Sequence, residues 1–471
     1  MIDLLIHNCD ILQVESGDAS PPPTRLLVSQ DILIQGQRIL AVQPATLQGS
    51  AVQYNRAVQY NRAVQYNRPG SVEPSPARET IQASGLLAIP GLINTHAHVP
   101  MVLFRGLVED VPIASWFNDY IWPLEANLTP EDIYWGALLG LAEMIEAGVT
   151  AVADHYFFMD QVAEAIMQAG MRANLAWAVF AHEGVEKLDQ TCAFIQRWQG
   201  GADGRITTWL GPHAPYTTGP DFLKLCAKRA KELKVGIHTH VSETAEQVQL
   251  SLEQYGVTPI QMLAEAGILE QPTILAHCLY PAESDFALLA AAPVGIAHAP
   301  KTYLKLGMGS APVMRYIQEG IPVGLASDGA VSSNTLDLLE QLRLMVLVQK
   351  STARDSTAMP VGLALEIAFH GGARVLHLNH ELGDIAPGKL ADLVLLDQSG
   401  LHTFPRLDPA ANLVFSARAA DVHTVICDGK ILLQDGKLLT IDKEQVKREV
   451  AARLQRLNQR IPGRRIASYP A

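Results

Sequence analysis

Apolar runs rich in β-branched residues recur along the middle of this chain, most of them closed by a histidine or an aspartate, and they constrain its fold more than any other feature. Leu86-Leu-Ala-Ile-Pro-Gly-Leu-Ile-Asn94 leads into Thr95-His96-Ala97-His98. Ala151-Val-Ala-Asp154-His155, Arg205-Ile-Thr-Thr-Trp-Leu-Gly-Pro-His213, Val235-Gly-Ile-His238-Thr-His240, Thr273-Ile-Leu-Ala-His277, Val294-Gly-Ile-Ala-His298 and Val323-Gly-Leu-Ala-Ser-Asp328 follow. With Arg172-Ala-Asn-Leu-Ala-Trp-Ala-Val179 they number eight. Helical patterns lie between them, at Glu131 to Ala147, Asp221 to Lys234, Thr244 to Ala266 and Ser333 to Lys350. Residues 88–375 therefore read as repeated βα units. Eight such units close into an α/β fold of the (β/α)8, TIM-barrel type, whose chemistry sits at the C-terminal ends of the strands. Packing alone does not ask for His and Asp at the same end of strand after strand.

Side chains alternate along an extended strand, so His96 and His98 face the same way, and two neutral imidazoles converging on a point make half of a transition-metal site. If His240 joins them, Glu243 sits just past the end of its strand, close enough to handle a proton. His238 also faces inward, one layer deeper, and reads as a structural residue of the barrel interior. Asp328 supplies a hard oxygen ligand to complete three imidazoles. His277 is free to polarise a substrate or to stabilise developing charge. Leu210-Gly-Pro-His213 has no lysine nearby, so no carbamylated lysine is available to bridge two metals, and a single divalent ion is expected. Zinc is the expected ion, although iron and manganese suit the same donors.

Composition narrows the functional classes. The 36 basic and 48 acidic residues give a net charge of −12, with no basic cluster, which argues against nucleic acid as a partner. The five cysteines are scattered without a C-x-x-C pair, and Met1-Ile-Asp-Leu-Leu-Ile-His7 lacks a basic, signal-like start, so a reducing cytoplasm is expected. No stretch approaches the ~18 uncharged apolar residues that a membrane span needs.

The ends of the chain differ from its middle. Asp3-Leu-Leu-Ile-His-Asn-Cys-Asp-Ile-Leu12 and Asp31-Ile-Leu-Ile-Gln-Gly-Gln-Arg-Ile-Leu40 are short strands broken by turn residues, and Ala391 to Asp397 and Val422 to Leu433 read the same way, with Asp428-Gly429 and Asp435-Gly436 as hairpin turns. The expected organisation is a barrel over 88–377, inserted into a small β-sandwich domain built from 1–87 and 378–471. Lys443 to Gln459 is patterned as a charged amphipathic helix. The hexapeptide Ala51-Val-Gln-Tyr-Asn-Arg56 recurs at Ala57 and Ala63, three copies in all, a period too short for a solenoid and expected as a tandem duplication in a surface loop.

The motifs together resemble the amidohydrolase superfamily, in the branch of methylthioadenosine and S-adenosylhomocysteine deaminases and triazine hydrolases. The resemblance runs over nearly the whole chain: Pro90-Gly-Leu-Ile-Asn-Thr-His-Ala-His-Val-Pro-Met101, Phe104-Arg-Gly-Leu107, Trp122-Pro-Leu-Glu125, Gly211-Pro-His-Ala-Pro-Tyr216, His240-x-x-Glu243, Ala276-His277, Ser327-Asp-Gly-Ala330 and Gly383-Asp-Ile-Ala-Pro-Gly-Lys-Leu-Ala-Asp-Leu393. It implies a ligand set of His96, His98, His240 and Asp328, with Glu243 as proton shuttle and His277 beside the substrate. It also implies hydrolytic attack at C6 of an adenine ring, with His277 and Asp328 steadying the attacking hydroxide and ammonia leaving. The zinc deaminases that carry P-C-x-x-C reach the same end with other ligands, and that motif is absent here.

Glu125 matches the position that grips the ribose hydroxyls in nucleoside-deaminating relatives, and His213 matches a second substrate contact. Relatives that accept S-adenosylhomocysteine present arginines after the third strand. Here Asn174 to Glu186 has none, and Lys187 is the one cation nearby, a poorer carboxylate clamp than a guanidinium fork. The resemblance thus favours 5′-methylthioadenosine, with S-adenosylhomocysteine or adenosine behind it. The alternative is a deaminase or chlorohydrolase of another amino-heterocycle, a free purine base or a triazine, for which Glu125 would have no use. Thr302-Tyr303 stands where many relatives carry Ser-Asn. Barrels of this type often pair, so a homo-oligomer is expected.

Overall fold

The computed structural model describes residues 2–15, 21–45, 77–459 and 464–469. The threefold hexapeptide repeat lies outside the described residues. Eight parallel strands follow one another in chain order around a barrel: Leu92–Ala97, Val149–Tyr156, Arg172–Val179, Ile206–Pro212, Ile237–Val241, Thr273–His277, Val294–His298 and Val323–Leu325. All are buried along nearly their whole length, which is why each reads as a continuous apolar run rather than an alternating one. Last and first strands meet through side chains as well as backbone. Asn94 Nδ2 donates to Ser327 Oγ at 2.7 Å, Thr95 Oγ1 donates to the Leu325 carbonyl at 2.9 Å, and Ala97 and Asp328 form a parallel bridge.

The helices between the strands start where capping chemistry allows. Pro130–Glu146 opens on a reciprocal Thr129/Asp132 capping box with proline in its first turn. The helical pattern from Thr244 to Ala266 is two helices, Ala245–Tyr255 and Pro259–Glu265. Gly256, at φ +75°, closes the first, and a Thr258/Gln261 capping box opens the second. Hydrophobic periodicity runs across both and does not register the break.

The remaining nine strands form one mixed sheet. Ile2–Val14, Thr24–Gln35, Arg38–Pro44, Ala77–Gln82 and Leu86–Pro90 come from before the barrel, and Leu393–Asp397, Val422–Cys427, Lys430–Gln434 and Lys437–Leu438 from after it. The two halves join where Leu86–Pro90 pairs antiparallel with Leu393–Asp397. Asp428-Gly429 and Asp435-Gly436 turn the hairpins with positive φ at both residues of each pair. Where the sheet meets the barrel, Arg172 is buried with Asp392 at 3.1 Å and Asp428 at 2.9 Å. The helix Lys443–Leu457 packs on Pro130–Glu146, tied by Arg456 to the buried Asp132. All five cysteines are free thiols. Among the described residues no helix is long and apolar enough to cross a membrane.

Candidate metal and active centre

The strand ends converge at one mouth of the barrel. His98 follows the first strand, and its Nδ1 donates to the His155 carbonyl at 2.5 Å. His240 lies on the fifth strand, and its Nδ1 donates to the His213 carbonyl at 2.7 Å. With each Nδ1 committed as a donor, both Nε2 atoms present lone pairs, and these lie 3.3 Å apart. Two acceptors cannot bond each other. Asp328 Oδ1 completes the cluster at 3.5 Å from His96 Nε2 and 3.4 Å from His98 Nε2. His96 Nε2 is buried without a hydrogen-bond partner.

A divalent cation fits this set. Burial holds His96 down to about 3 and lowers His98 and His240, which leaves the imidazoles in the neutral, metal-binding form. Burial pushes the Asp328 carboxyl up, but His96, His277 and His98 outweigh it and hold it well below the usual carboxylate range. Three imidazoles with free Nε2 positions and one carboxylate are the donor chemistry of zinc and its neighbours. Further donors stand close: His277 groups with His96 and His240, and His155 with His98 and His240, each set within 4.8 Å.

Backbone strain accompanies this geometry. Ser242, His277 and Asp328 leave their strands in the left-handed region, at φ 47°, 72° and 59°. Each such residue costs about 1–3 kcal/mol, a cost that concentrates at functional sites. His277 and Asp328 both line the cleft at the barrel mouth. Glu243, next after Ser242, is buried, and burial raises its carboxyl. Gln247 orients it from both sides, donating Nε2–H to Glu243 Oε2 at 3.2 Å while accepting the Glu243 N–H at 3.1 Å. His277 Nε2 lies 3.8 Å from Glu243 Oε1.

Above the cluster opens a cleft lined by His98, Glu125, His213, His240, Glu243, His277 and Asp328 together with aromatic walls. Glu125 closes the short helix Trp122–Glu125, which continues from a π-turn at Trp116–Ile121, a distortion common beside functional sites. Its carboxyl is pushed up to about 8 by burial, with Tyr156 pulling the other way. His213 stacks on Phe180 at 4.6 Å. Thr217 spends its hydroxyl proton on the Ala214 carbonyl, so its oxygen accepts from His213 Nδ1 at 2.9 Å and the His213 Nε2 is left as an acceptor. Gly211 is required beneath this corner, since a Cβ there would stand 2.6 Å from the Trp177 carbonyl oxygen.

The cleft lining thus brings together His98, Glu125, His213, His240, Glu243, His277 and Asp328, and His96, outside the lining, joins them through its Nε2 3.5 Å from Asp328 Oδ1. Among the residues the cleft adds, four were not singled out for it and bear on its geometry. His155 fixes His98 through its carbonyl. Ser332 donates to Asp328 Oδ2 at 2.7 Å, a contact that the i, i+4 spacing across Gly329 could have suggested. Trp116 and Phe117 form the aromatic wall, and nothing in their local sequence marks them.

Residues 87–432 match the Amidohydrolase family model. The chain belongs to the amidohydrolase family. It is 44% identical over 391 residues to the 5-methylthioadenosine/S-adenosylhomocysteine deaminase of Desulforudis audaxviator, covering 83% of this chain and 90% of that one. The enzyme of the same name from Pelotomaculum thermopropionicum is 41% identical over 97% of this chain and 99% of its own. Among solved structures, a zinc-bound adenosine deaminase from Xanthomonas campestris superposes with a TM-score of 0.85 at 28% identity, covering 97% and 98% of the two chains. Atrazine chlorohydrolase from Arthrobacter aurescens, complexed with zinc, superposes at 0.81 and 26% identity, covering 96% and 100%. Fold and family are those the sequence motifs imply, and the centre is a histidine and aspartate cluster suited to a divalent metal.

Proposed function

We propose that this amidohydrolase deaminates an adenine nucleoside hydrolytically, with 5′-methylthioadenosine the preferred substrate and adenosine and S-adenosylhomocysteine poorer ones. Water replaces the C6 amino group, and the products are 5′-methylthioinosine and ammonia. The observation that carries the reading is Glu125, a buried carboxyl across one cleft from Glu243 and the histidine cluster. A free base or a triazine has no hydroxyls for it.

In this reading His96, His98, His240 and Asp328 hold one divalent ion, zinc. Such an ion, when bound, supplies the Lewis acidity that makes water a nucleophile near neutral pH. The other tasks fall to side chains. Glu243, its carboxyl raised by burial, carries a proton and delivers it from Oε1 or Oε2 to the ring nitrogen beside C6. Asp328, held low, stays a carboxylate and accepts a proton from the attacking water. It passes that proton to the departing amino group, which leaves as ammonia, while Glu243 regains its proton from the new C6 hydroxyl. Ser332 fixes the Asp328 Oδ2, so Oδ1 faces the cluster. His277 steadies charge developing at C6. Glu125 and the His213 Nε2 accept hydrogen bonds from the substrate, Glu125 from the ribose diol. Trp116, Phe117, Trp122 and Phe180 exclude water around the base and sugar.

Preference for the thioether over the homocysteine conjugate is supported by the cleft lining, which among the described residues contains no Arg or Lys. Lys187 is spent on the Trp177 ring, its Nζ 4.5 Å from the centroid. The test is ammonia release by zinc-loaded protein from methylthioadenosine, adenosine, S-adenosylhomocysteine, adenine, guanine and a chlorotriazine. The reading expects turnover of nucleosides with methylthioadenosine first. Turnover of free bases or triazines with none of nucleosides overturns it.

A further inference from the structure

The segment 464–469 returns to the barrel mouth and buries Tyr469 there, 4% exposed. Three sets of contacts hold it. Asn118 clasps its backbone in both directions, accepting the Tyr469 N–H on Oδ1 at 2.9 Å and donating Nδ2–H to the Tyr469 carbonyl at 3.0 Å. Its ring stacks on Phe117 at 4.9 Å with 5° between planes and meets Tyr216 edge-on at 5.6 Å. Its hydroxyl lies 3.0 Å from Thr244 Oγ1.

The partners of its ring and hydroxyl belong to the reaction cleft or to what orients it. Phe117 and Tyr216 line the cleft. Thr244 caps the helix Ala245–Tyr255 by accepting the Gln247 N–H, and Gln247 holds the Glu243 carboxylate. A second cavity, lined by Tyr216 and Tyr469 and also by Ser242 and Gln247, adjoins the cleft. Tyr469 thus backs the aromatic wall, borders a neighbouring void and reaches the loop that carries Glu243. Burial pushes its hydroxyl up to about 12, so it stays protonated across the working pH range.

We propose that Tyr469 is a positioning residue for the deamination proposed above, coupling the Phe117 wall to Glu243 through Thr244 and Gln247 and sealing the reaction cleft from the adjoining cavity. The ring and the Asn118 clasp hold the wall where the nucleoside packs. The hydroxyl holds the Thr244–Gln247 turn, and through it the direction of the Glu243 carboxyl. The two halves of the residue are separable: Tyr469→Phe keeps stack and clasp and loses only the hydroxyl bond, and Tyr469→Ala loses the stack too.

The experiment pairs steady-state kinetics on methylthioadenosine with amide hydrogen exchange of the zinc-loaded protein. Tyr469→Phe is expected to lower kcat about fivefold with KM within twofold, the loss of one ordinary hydrogen bond, and to speed exchange at 243–248 only. Tyr469→Ala is expected to lower kcat as much, to raise KM at least fivefold and to speed exchange at 114–121 as well. The proposal is overturned by unchanged exchange in both segments of Tyr469→Ala, or by kcat and KM of both variants within twofold of the parent. If the parent itself deaminates no nucleoside, the functional reading fails, and exchange alone then decides whether Tyr469 couples the two segments.

Discussion

His238 stands beneath His96, its Nε2 2.8 Å from the His96 Nδ1, and both rings are fully buried. A ligand imidazole that donates its far N–H to a fixed acceptor is locked in tautomer and ring angle, and partners of this kind are worth about 10–100-fold in metal affinity. His238→Phe keeps the ring volume but removes the acceptor. We expect zinc to be lost to a chromogenic chelator at roughly 10- to 100-fold lower competitor concentration. Unchanged retention would mean that His238 only fills the barrel interior.

In the proposed function Glu243 moves a proton and takes no part in the ligand set. Glu243→Gln preserves shape and the Gln247 clasp while deleting the titrating group. Turnover is expected to fall by about 10²–10⁴, with zinc content measured by mass spectrometry unchanged and nucleoside affinity retained. A variant that also sheds its metal would reassign Glu243 to the metal shell.

In the proposed function Glu125 separates nucleosides from bases. Glu125, its carboxyl raised by burial to about 8, is largely neutral near pH 7 and offers the ribose diol a carbonyl oxygen. Glu125→Leu removes that acceptor, a difference of about 0.5–1.5 kcal/mol, roughly 2- to 13-fold in kcat/KM. We expect that loss on methylthioadenosine and adenosine and none on any free base the protein turns over. Equal losses on both classes would make Glu125 a residue of the cleft wall and not of substrate choice.

Side-chain alternation and strand-end position made most of this centre legible in the chain. His96, His98, His240, His277 and Asp328 close runs whose apolar character alone identifies barrel strands. Contacts across the fold were not legible in that way. Tyr469 meets Phe117 from some 350 positions away, and local patterning cannot announce such a contact. The break at Gly256 was hidden because apolar spacing continues through it. His238 reads as a packing residue, and its contact with the His96 Nδ1 is visible only once the His96 ring is placed above it. The positive φ of His277 and Asp328, both in the cleft lining, runs against the intrinsic preference of residues other than glycine and is not signalled by their local sequence.

Away from the cleft, His370 sits between two carboxylates, with Nε2 2.8 Å from Asp384 and Nδ1 against Glu366. Burial opposes its charge, yet the Asp384 and Glu366 hydrogen bonds prevail and hold it up at about 9. Glu366 and Asp384 are correspondingly lowered. A raised folded-state pKa contributes stability that is full below the unfolded histidine value of about 6.5 and is lost as pH climbs through 9. The two lowered carboxylates contribute above their unfolded values of about 4 and lose that contribution on acidification. The cluster therefore stabilises most between pH ~4.5 and 6.5. His370→Gln should lower Tm most in that window, and the gap to the parent should shrink steadily between pH 7 and 10 in thermal melts. A gap that stays constant to pH 10 would show that His370 acts there as a neutral packing residue.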